Sequence, residues 1–279
     1  MDKTLSCSIV LYNNSEQEIS RVIECSQSSF PSVVIYLVDN SATNKLEILA
    51  KRFGCFYIHE KSNVGFGAAH NIAIKKSLDA GFKYHLILNP DIYFPDAVFP
   101  VLIDFMDKNQ QVGFVMPKIL YPNGDLQYLC KLLPTPIDLI FRRFFPHFYK
   151  KAGLLSRYEL RDSGYDHTMM VPSLSGCFML LRSGVLRRVG GFDEKFFMYL
   201  EDVDLCRRIG KIAETVYYPN VTVFHEFAKG SYKNIKLLKY HIKSALYYFN
   251  KWGWFFDSER RLINNKALAR MRALSEFNK

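Results

Sequence analysis

Apolar and polar positions along the first half of the chain follow two alternating periods. Short runs rich in Val, Ile, Leu and Tyr read as strands near Leu5–Tyr12, Val33–Asp39, Cys55–His59, Tyr84–Leu88 and Val112–Met116. Between them lie segments of helical spacing at about Glu16–Gln27, Leu46–Phe53, Gly67–Ala80 and Ala97–Lys108. This alternation predicts βαβ units and an α/β fold, with a mainly parallel sheet flanked by helices. The unbroken apolar run His85-Leu86-Ile87-Leu88 fits a strand buried on both faces. In such sheets ligands bind beyond the carboxyl ends of the strands. Three of those ends carry polar clusters: Tyr12-Asn13-Asn14, Asp39-Asn40-Ser41 and Asn89-Pro90-Asp91.

From Leu132 to about Tyr158 the pattern becomes Pro-punctuated, aromatic and basic, as in Leu133-Pro134-Thr135-Pro136 and Phe141-Arg142-Arg143-Phe144-Phe145. This stretch reads as an insertion or lid rather than a sheet segment. Strand character returns at Ser175–Leu181, Thr215–Tyr218 and Val221–Phe224, and two long helices, Asn234–Lys251 and Ser258–Glu276, close the chain. In the first helix Leu238, Ile242, Ala245 and Phe249 fall on one face and Lys236, Lys239 and Lys243 on another. The expected organisation is an α/β domain over 1–230, with a basic aromatic insertion at about 131–160, followed by a helical extension over 231–279.

Composition narrows the partners. The 279 residues are 49% hydrophobic and 23% charged, as in an ordered globular protein. Lys and Arg number 37 against 27 Asp and Glu, a net charge of +10 that favours polyanions. The basic residues concentrate in Lys131–Arg161 and Lys229–Arg272, interleaved with Phe, Tyr, Leu and Trp. That mixture suits an anionic membrane surface more than a nucleic-acid groove. The six cysteines show no zinc spacing, and neither a secretory leader nor a spanning segment is visible. The expected setting is the reducing cytoplasm, at the inner face of the cytoplasmic membrane.

Several residues can carry chemistry, each with a plainer reading beside it. Asp91 follows a buried strand and can ligate a hard divalent cation, or it can be a turn carboxylate. Asp39 can accept the N3 hydrogen of a uracil or thymine ring, or close a turn. The glycines of Asn63-Val64-Gly65-Phe66-Gly67 allow helix-start amides to approach phosphate oxygens, or simply form a helix entry. In Glu201-Asp202-Val203-Asp204, three carboxylates crowd behind an aromatic run. They either enjoy a helix N-terminus or supply a general base. His225 ends a strand and can complete a divalent metal site, or it can be structural.

Taken in order, these segments resemble the inverting family 2 glycosyltransferases, in their bacterial rhamnosyltransferase-like branch. The matching text is Ile9-Val10-Leu11-Tyr12-Asn13, Val38-Asp39-Asn40-Ser41, Asn63 to Asn71, Leu88-Asn89-Pro90-Asp91, Ser175-Gly176-Cys177-Phe178 and Gly190 to Leu205. The resemblance implies a GT-A fold, a nucleoside-diphosphate sugar donor and a Mg or Mn ion. It places Tyr12, Asn13, Asp39, Asn63, Gly65, Gly67, Asn71, Asn89 and Asp91 at the donor. It makes Asp91 and His225 the metal ligands, Asp202 the general base and Glu201 its support or alternative. Asn89 stands where many relatives carry a first acid, which removes one negative ligand. A dTDP- or UDP-linked sugar, with rhamnose favoured, and a cell-envelope glycan or lipid-linked acceptor are the implied substrates.

Two other classes compete. Sugar nucleotidyltransferases place a Gly-rich basic loop after the first strand, whereas Tyr12-Asn13-Asn14-Ser15-Glu16 has neither glycine nor base. A non-catalytic membrane- or polyanion-binding module on a degenerate transferase fold would not need Asp91, Asp202 and His225 together.

Overall fold

The computed structural model describes residues 3–95, 97–226 and 235–277. The chain begins β1 (Leu5–Leu11), α1 (Glu16–Ser29), β2 (Val34–Asp39), α2 (Glu47–Arg52), β3 (Phe56–His59), α3 (Phe66–Ala80) and β4 (Tyr84–Leu88). It continues through β5 (Ile92–Tyr93), α4 (Val98–Lys108) and β6 (Val112–Leu120). Helices α5 (Pro136–Phe144), α6 (Pro146–Lys151) and α7 (Leu154–Tyr158) follow, and then β7 (Met169–Met170), β8 (Phe178–Arg182) and α8 (Ser183–Val189). The last elements are α9 (Glu201–Ile209), β9 (Glu214–His225), α10 (Ile235–Trp252) and α11 (Ser258–Phe277).

Among the described residues one sheet runs in the order β3-β2-β1-β4-β8-β6-β9-β5, with β7 on β9. The four strands from β3 to β4 are mutually parallel. Strand β8 enters antiparallel between β4 and β6, and β9 runs parallel to β6. Central strands are buried on both sides, Leu5, Ile9, Leu86 and Leu88 being fully enclosed, which is why their sequences are continuously apolar. Several polar residues inside this core bond one another. Ser6 Oγ lies 2.8 Å from His85 Nδ1, and Ser8 Oγ lies 3.0 Å from His85 Nε2 and 2.7 Å from His70 Nδ1.

The differences from the sequence reading have local causes. Strand β6 does not stop at Met116, and the two strands expected at 215–218 and 221–224 are one strand, β9. Pro117 and the turn-like Pro219-Asn220 sit where the β6–β9 register shifts, between Pro117↔Tyr218 and Lys118↔Thr222. A bulge accommodates proline, which cannot donate to the ladder. The 131–160 stretch is helical, and α5 opens with Pro136 behind a capping box in which Thr135 and Asp138 bond reciprocally. The boundary expected near residue 230, and Asn234 as a helix start, lie outside the described residues.

The last two helices are clamped onto α9. Arg207 makes a bidentate pair with Asp257 at 2.7 and 2.8 Å, both side chains almost wholly buried. Asn264 donates to the Leu133 carbonyl and accepts its amide proton, each at 2.9 Å. Asp204 receives Trp252 Nε1 at 2.8 Å and Arg208 Nε at 2.8 Å. One of the three crowded carboxylates is therefore structural.

Candidate active site

The parallel half of the sheet brings the polar strand ends to one edge. Leu11 pairs with Asp39, and Ile9 with Leu88, so Tyr12-Asn13, Asn40-Ser41 and Asn89 emerge side by side. Asn13, at φ 57°, donates its amide to Ser41 Oγ at 2.8 Å, and Tyr12 is 54% exposed. Asp39 is buried, accepting the Ser41 amide at 2.8 Å and the Tyr57 hydroxyl at 2.6 Å. A carboxylate has about four acceptor positions, so these two bonds leave capacity for a base edge.

Asp91 and His225 meet through β5 and β9, where Ile92 pairs with His225 and the Glu226 amide donates to the Asp91 carbonyl at 3.0 Å. His225 Nε2 lies 3.2 Å from Asp91 Oδ1. The other face of the imidazole is fixed by Gln127. Its Nε2 donates to the His225 carbonyl at 2.8 Å, which turns its Oε1 toward Nδ1 at 3.0 Å. Gln127 therefore takes the Nδ1 proton, which leaves Nε2 facing the Asp91 carboxylate. A proton on Nε2, or a metal cation in its place, suits the gap between them. Burial opposes a charged ring, but the neighbouring Cys177 and Asp91 side chains outweigh it and lift His225 to about 10. Sequence spacing gives no hint of Gln127, which lies 98 residues from its partner.

Asp202 and Glu201 open α9 after Tyr199 and Leu200, two non-glycine residues in the left-handed region at φ 72° and 68°. This costly turn aims the acids. Asp202 accepts the Gly176 amide at 3.0 Å and the Val203 amide at 2.8 Å. Burial raises both carboxyls, Glu201 far more because the charge on Asp202 adds to it. Backbone donors and the Lys131 charge counter the rise at Asp202. Of the two, Glu201 is the more strongly held toward its protonated form. Gly176 has little room for a side chain, since a Cβ there would lie 3.2 Å from Asp202 Cβ.

One peptide step links the two groups. Gly176 holds Asp202, and the next carbonyl, that of Cys177, accepts the Asn89 amide at 2.9 Å. Both residues lead into β8, whose Phe178 pairs with Leu88.

The glycine loop departs from expectation. The Gly65 amide is spent on Asn63 Oδ1 at 2.9 Å and the Phe66 amide on the Phe197 carbonyl at 3.0 Å, so neither is open to a phosphate. Gly65, at φ +97°, would place a Cβ 2.4 Å from the Phe197 carbonyl oxygen, and Gly67 one 2.7 Å from Phe192 Cβ. Close approach of the 192–197 segment requires both glycines. Asn71 likewise uses its amide on that segment, at 2.9 Å to the Phe192 carbonyl and 2.8 Å from its N–H.

A mixed sheet with a strand-end acidic site on one edge and helices on both faces is the GT-A architecture. Solved structures share it. Staphylococcus aureus TarS 1–349 in complex with UDP aligns over 99% of this chain and 73% of its own, with TM-score 0.60 and 16% identity. Mannosyltransferase PcManGT from Pyrobaculum calidifontis, in complex with GDP-Man and Mn2+, aligns over 96% and 75%, with TM-score 0.57 and 15% identity. Against another crystal structure of TarS 1–349, the chain spans 60% of that chain. Residues 6–188 match the glycosyl transferase family 2 profile, and the chain belongs to that family. It is 28% identical over 207 residues to the N-acetylglucosaminyl-diphospho-decaprenol L-rhamnosyltransferase of Mycobacterium tuberculosis, covering 70% of this chain and 67% of that one. It is 24% identical to the Escherichia coli rhamnosyltransferase WbbL, over 94% and 96% of the two chains. The protein is a glycosyltransferase of the rhamnosyltransferase-like branch. Among the described residues, no helix is long and apolar enough to cross a membrane.

Proposed function

We propose that this chain transfers a sugar, rhamnose by preference, from a dTDP- or UDP-linked donor to a hydroxyl of a lipid-linked or cell-envelope glycan, with inversion at the anomeric carbon. The observation that carries the reading is the Gly176-Cys177 step, which ties the base Asp202 to the Asn89–Asp91 loop on one inner strand. Rhamnose is supported by the two rhamnosyltransferase relatives, and the lipid-linked acceptor by the diphospho-decaprenol acceptor in the name of the first.

Asp39 receives the base, and Tyr12, Asn13, Asn63 and Asn89 line the donor path. Asp91 and His225, 3.2 Å apart, would hold a divalent ion, Mg or Mn. Among the described residues no group of three or more His, Cys, Asp or Glu could hold a metal, so water and donor phosphate oxygens would complete the shell. When bound, the ion neutralises charge developing on the departing diphosphate. Asp202 removes the proton of the attacking hydroxyl on the face opposite the leaving group, while protonated Glu201 adds no second charge beside it. A basic aromatic surface then attaches the enzyme to the inner membrane face.

Asp202→Asn tests the assignment. Transfer falls by about a thousand-fold or more, within the range general bases contribute, while thermal stabilisation by the donor nucleotide persists. Wild-type turnover in that variant removes Asp202 from the mechanism.

A further inference from the structure

An apolar groove of about 280 Å³ runs between α5 and α10, lined by Leu139, Phe144, Leu238, Ile242, Ala245 and Phe249, with Trp254 at one end. Its rim stays exposed: Ile140, Phe144, Ile242 and Leu246 are each about half accessible to solvent. Contiguous apolar surface of this kind marks a binding face. Two features connect it to the candidate base. Leu139 and Phe249 on the groove floor share one buried cluster with Leu200 and Val203, which bracket Glu201 and Asp202. His241, on the groove wall, packs its ring 5.0 Å from Tyr199, and Ser244 donates to the Met198 carbonyl at 2.8 Å.

The groove is not purely apolar at its inner end. Arg143 lines it. Arg142 lies 5.0 Å over the Tyr158 ring, and the Tyr158 carbonyl accepts the amide of Leu132, next to Lys131. Lys131 in turn bridges Ser173, three residues before the Gly176 amide that holds Asp202. Burial and the charges of Arg142, Arg143 and Lys131 together hold His241 down to about 4, as three cations converging on that wall must. The cations thus act on both sides, Arg142, Arg143 and Lys131 on His241 of the trough and Lys131 on Asp202.

We propose that the α5–α10 groove seats the isoprenoid end of a polyisoprenyl diphosphate acceptor, with Lys131, Arg142 and Arg143 meeting its diphosphate and the attached sugar reaching Asp202. This rests on the lipid-linked acceptor reading above and adds the site. The surfaces, apolar, basic and acidic, match the groups of such a molecule: chain, diphosphate, sugar hydroxyl. Isoprene units present flat π faces, and Phe144, Phe249 and Trp254 offer rings to meet them, an advantage a saturated acyl chain cannot use.

The test is titration of the whole chain with farnesyl diphosphate, read by Trp254 emission and repeated with Trp254→Phe to identify the reporter. Saturable binding is expected, with dodecyl phosphate and inorganic diphosphate each weaker by about ten-fold. Ile242→Glu, at an exposed rim position, and Ala245→Phe, which fills the groove, lower farnesyl diphosphate affinity by about ten-fold or more, with nucleotide-induced thermal stabilisation as the fold control. Equal binding in the variants and the wild type overturns the proposal, as does equal binding of dodecyl phosphate. Variants that lose only flotation on bare anionic vesicles also overturn it, by making the face a bilayer contact. Failure of nucleotide-sugar hydrolysis with farnesyl diphosphate binding intact would instead strike the transferase reading and leave the groove.

Discussion

At the scale of single residues, the decisive arrangement is Gln127, His225 and Asp91. Gln127 fixes which imidazole nitrogen faces the carboxylate, and its amide is itself fixed by the His225 carbonyl. In the metal-free protein a proton occupies the gap. Because His225 is raised to about 10, the charged ring stabilises the folded state fully below about 6.5, and that stabilisation is lost as pH rises through about 10. A metal must displace the proton, so Mn affinity is expected to rise by about ten-fold per pH unit between pH 6.5 and 8.5. Calorimetric titration in buffers of different ionisation enthalpy counts the released proton; a pH-independent affinity with no proton release contradicts the pairing. Gln127→Leu is expected to weaken Mn binding by about 10–100-fold. Asp91, His225, Asp39 and Asp202 stand out in the sequence because Asp39 and His225 end strands, Asp202 lies in the first turn of a helix and Asp91 lies in the turn after one strand. Gln127 does not, since its contact is made across the sheet and neither its spacing nor its neighbours mark it.

At the scale of elements, the glycine-rich entry of α3 has a packing role that its local pattern does not show. Glycines before a helix suggest open amides, but here they admit the 192–197 segment, which lies more than 120 residues further along and whose approach no local pattern encodes. The strands were legible wherever both faces are buried, and were cut short at Pro117 and Pro219 because a bulge needs its partner strand to be recognised. Behind them, β1, β4 and α3 enclose His85 and His70 in a serine network that keeps both rings neutral. Burial depresses His85 to about 3, and burial together with the neighbouring His85 ring holds His70 well below the usual imidazole value. With folded values below the unfolded 6.5, their contribution is complete above about 6.5 and declines as pH falls toward 3. The unfolding free energy is expected to fall by up to about 2.7 kcal/mol per pH unit once both rings titrate in the unfolded chain. Denaturant melts at pH 7, 6 and 5 measure this, and His85→Asn should remove about half of the slope. An unchanged slope would place the acid sensitivity elsewhere.

Across the whole molecule, the carboxyl-terminal helices are held by buried apolar contacts and by a buried polar clamp. Arg207 is enclosed with Asp257, and Asp257→Ala leaves that guanidinium without its bidentate partner. A loss of about 3–5 kcal/mol is expected in equilibrium denaturation, the usual cost of stranding a buried charge. A change below about 1 kcal/mol would mean that Glu259, 2.8 Å from Arg207, suffices alone. The basic excess seen in the sequence divides accordingly: Arg207 and Arg260 serve internal contacts, whereas Lys131, Arg142 and Arg143 gather beside the groove.

The Gly176-Cys177 step has a consequence for how far the site can be adjusted. A single rigid rung sets the distance between Asp202 and the Asn89–Asp91 loop, so that distance behaves as a gauge rather than an adjustable gap. A methyl group at Gly176 would press on Asp202 Cβ at 3.2 Å, and a slip of β8 by one residue would turn its side chains to the opposite faces of the sheet, so either change would reset the gauge.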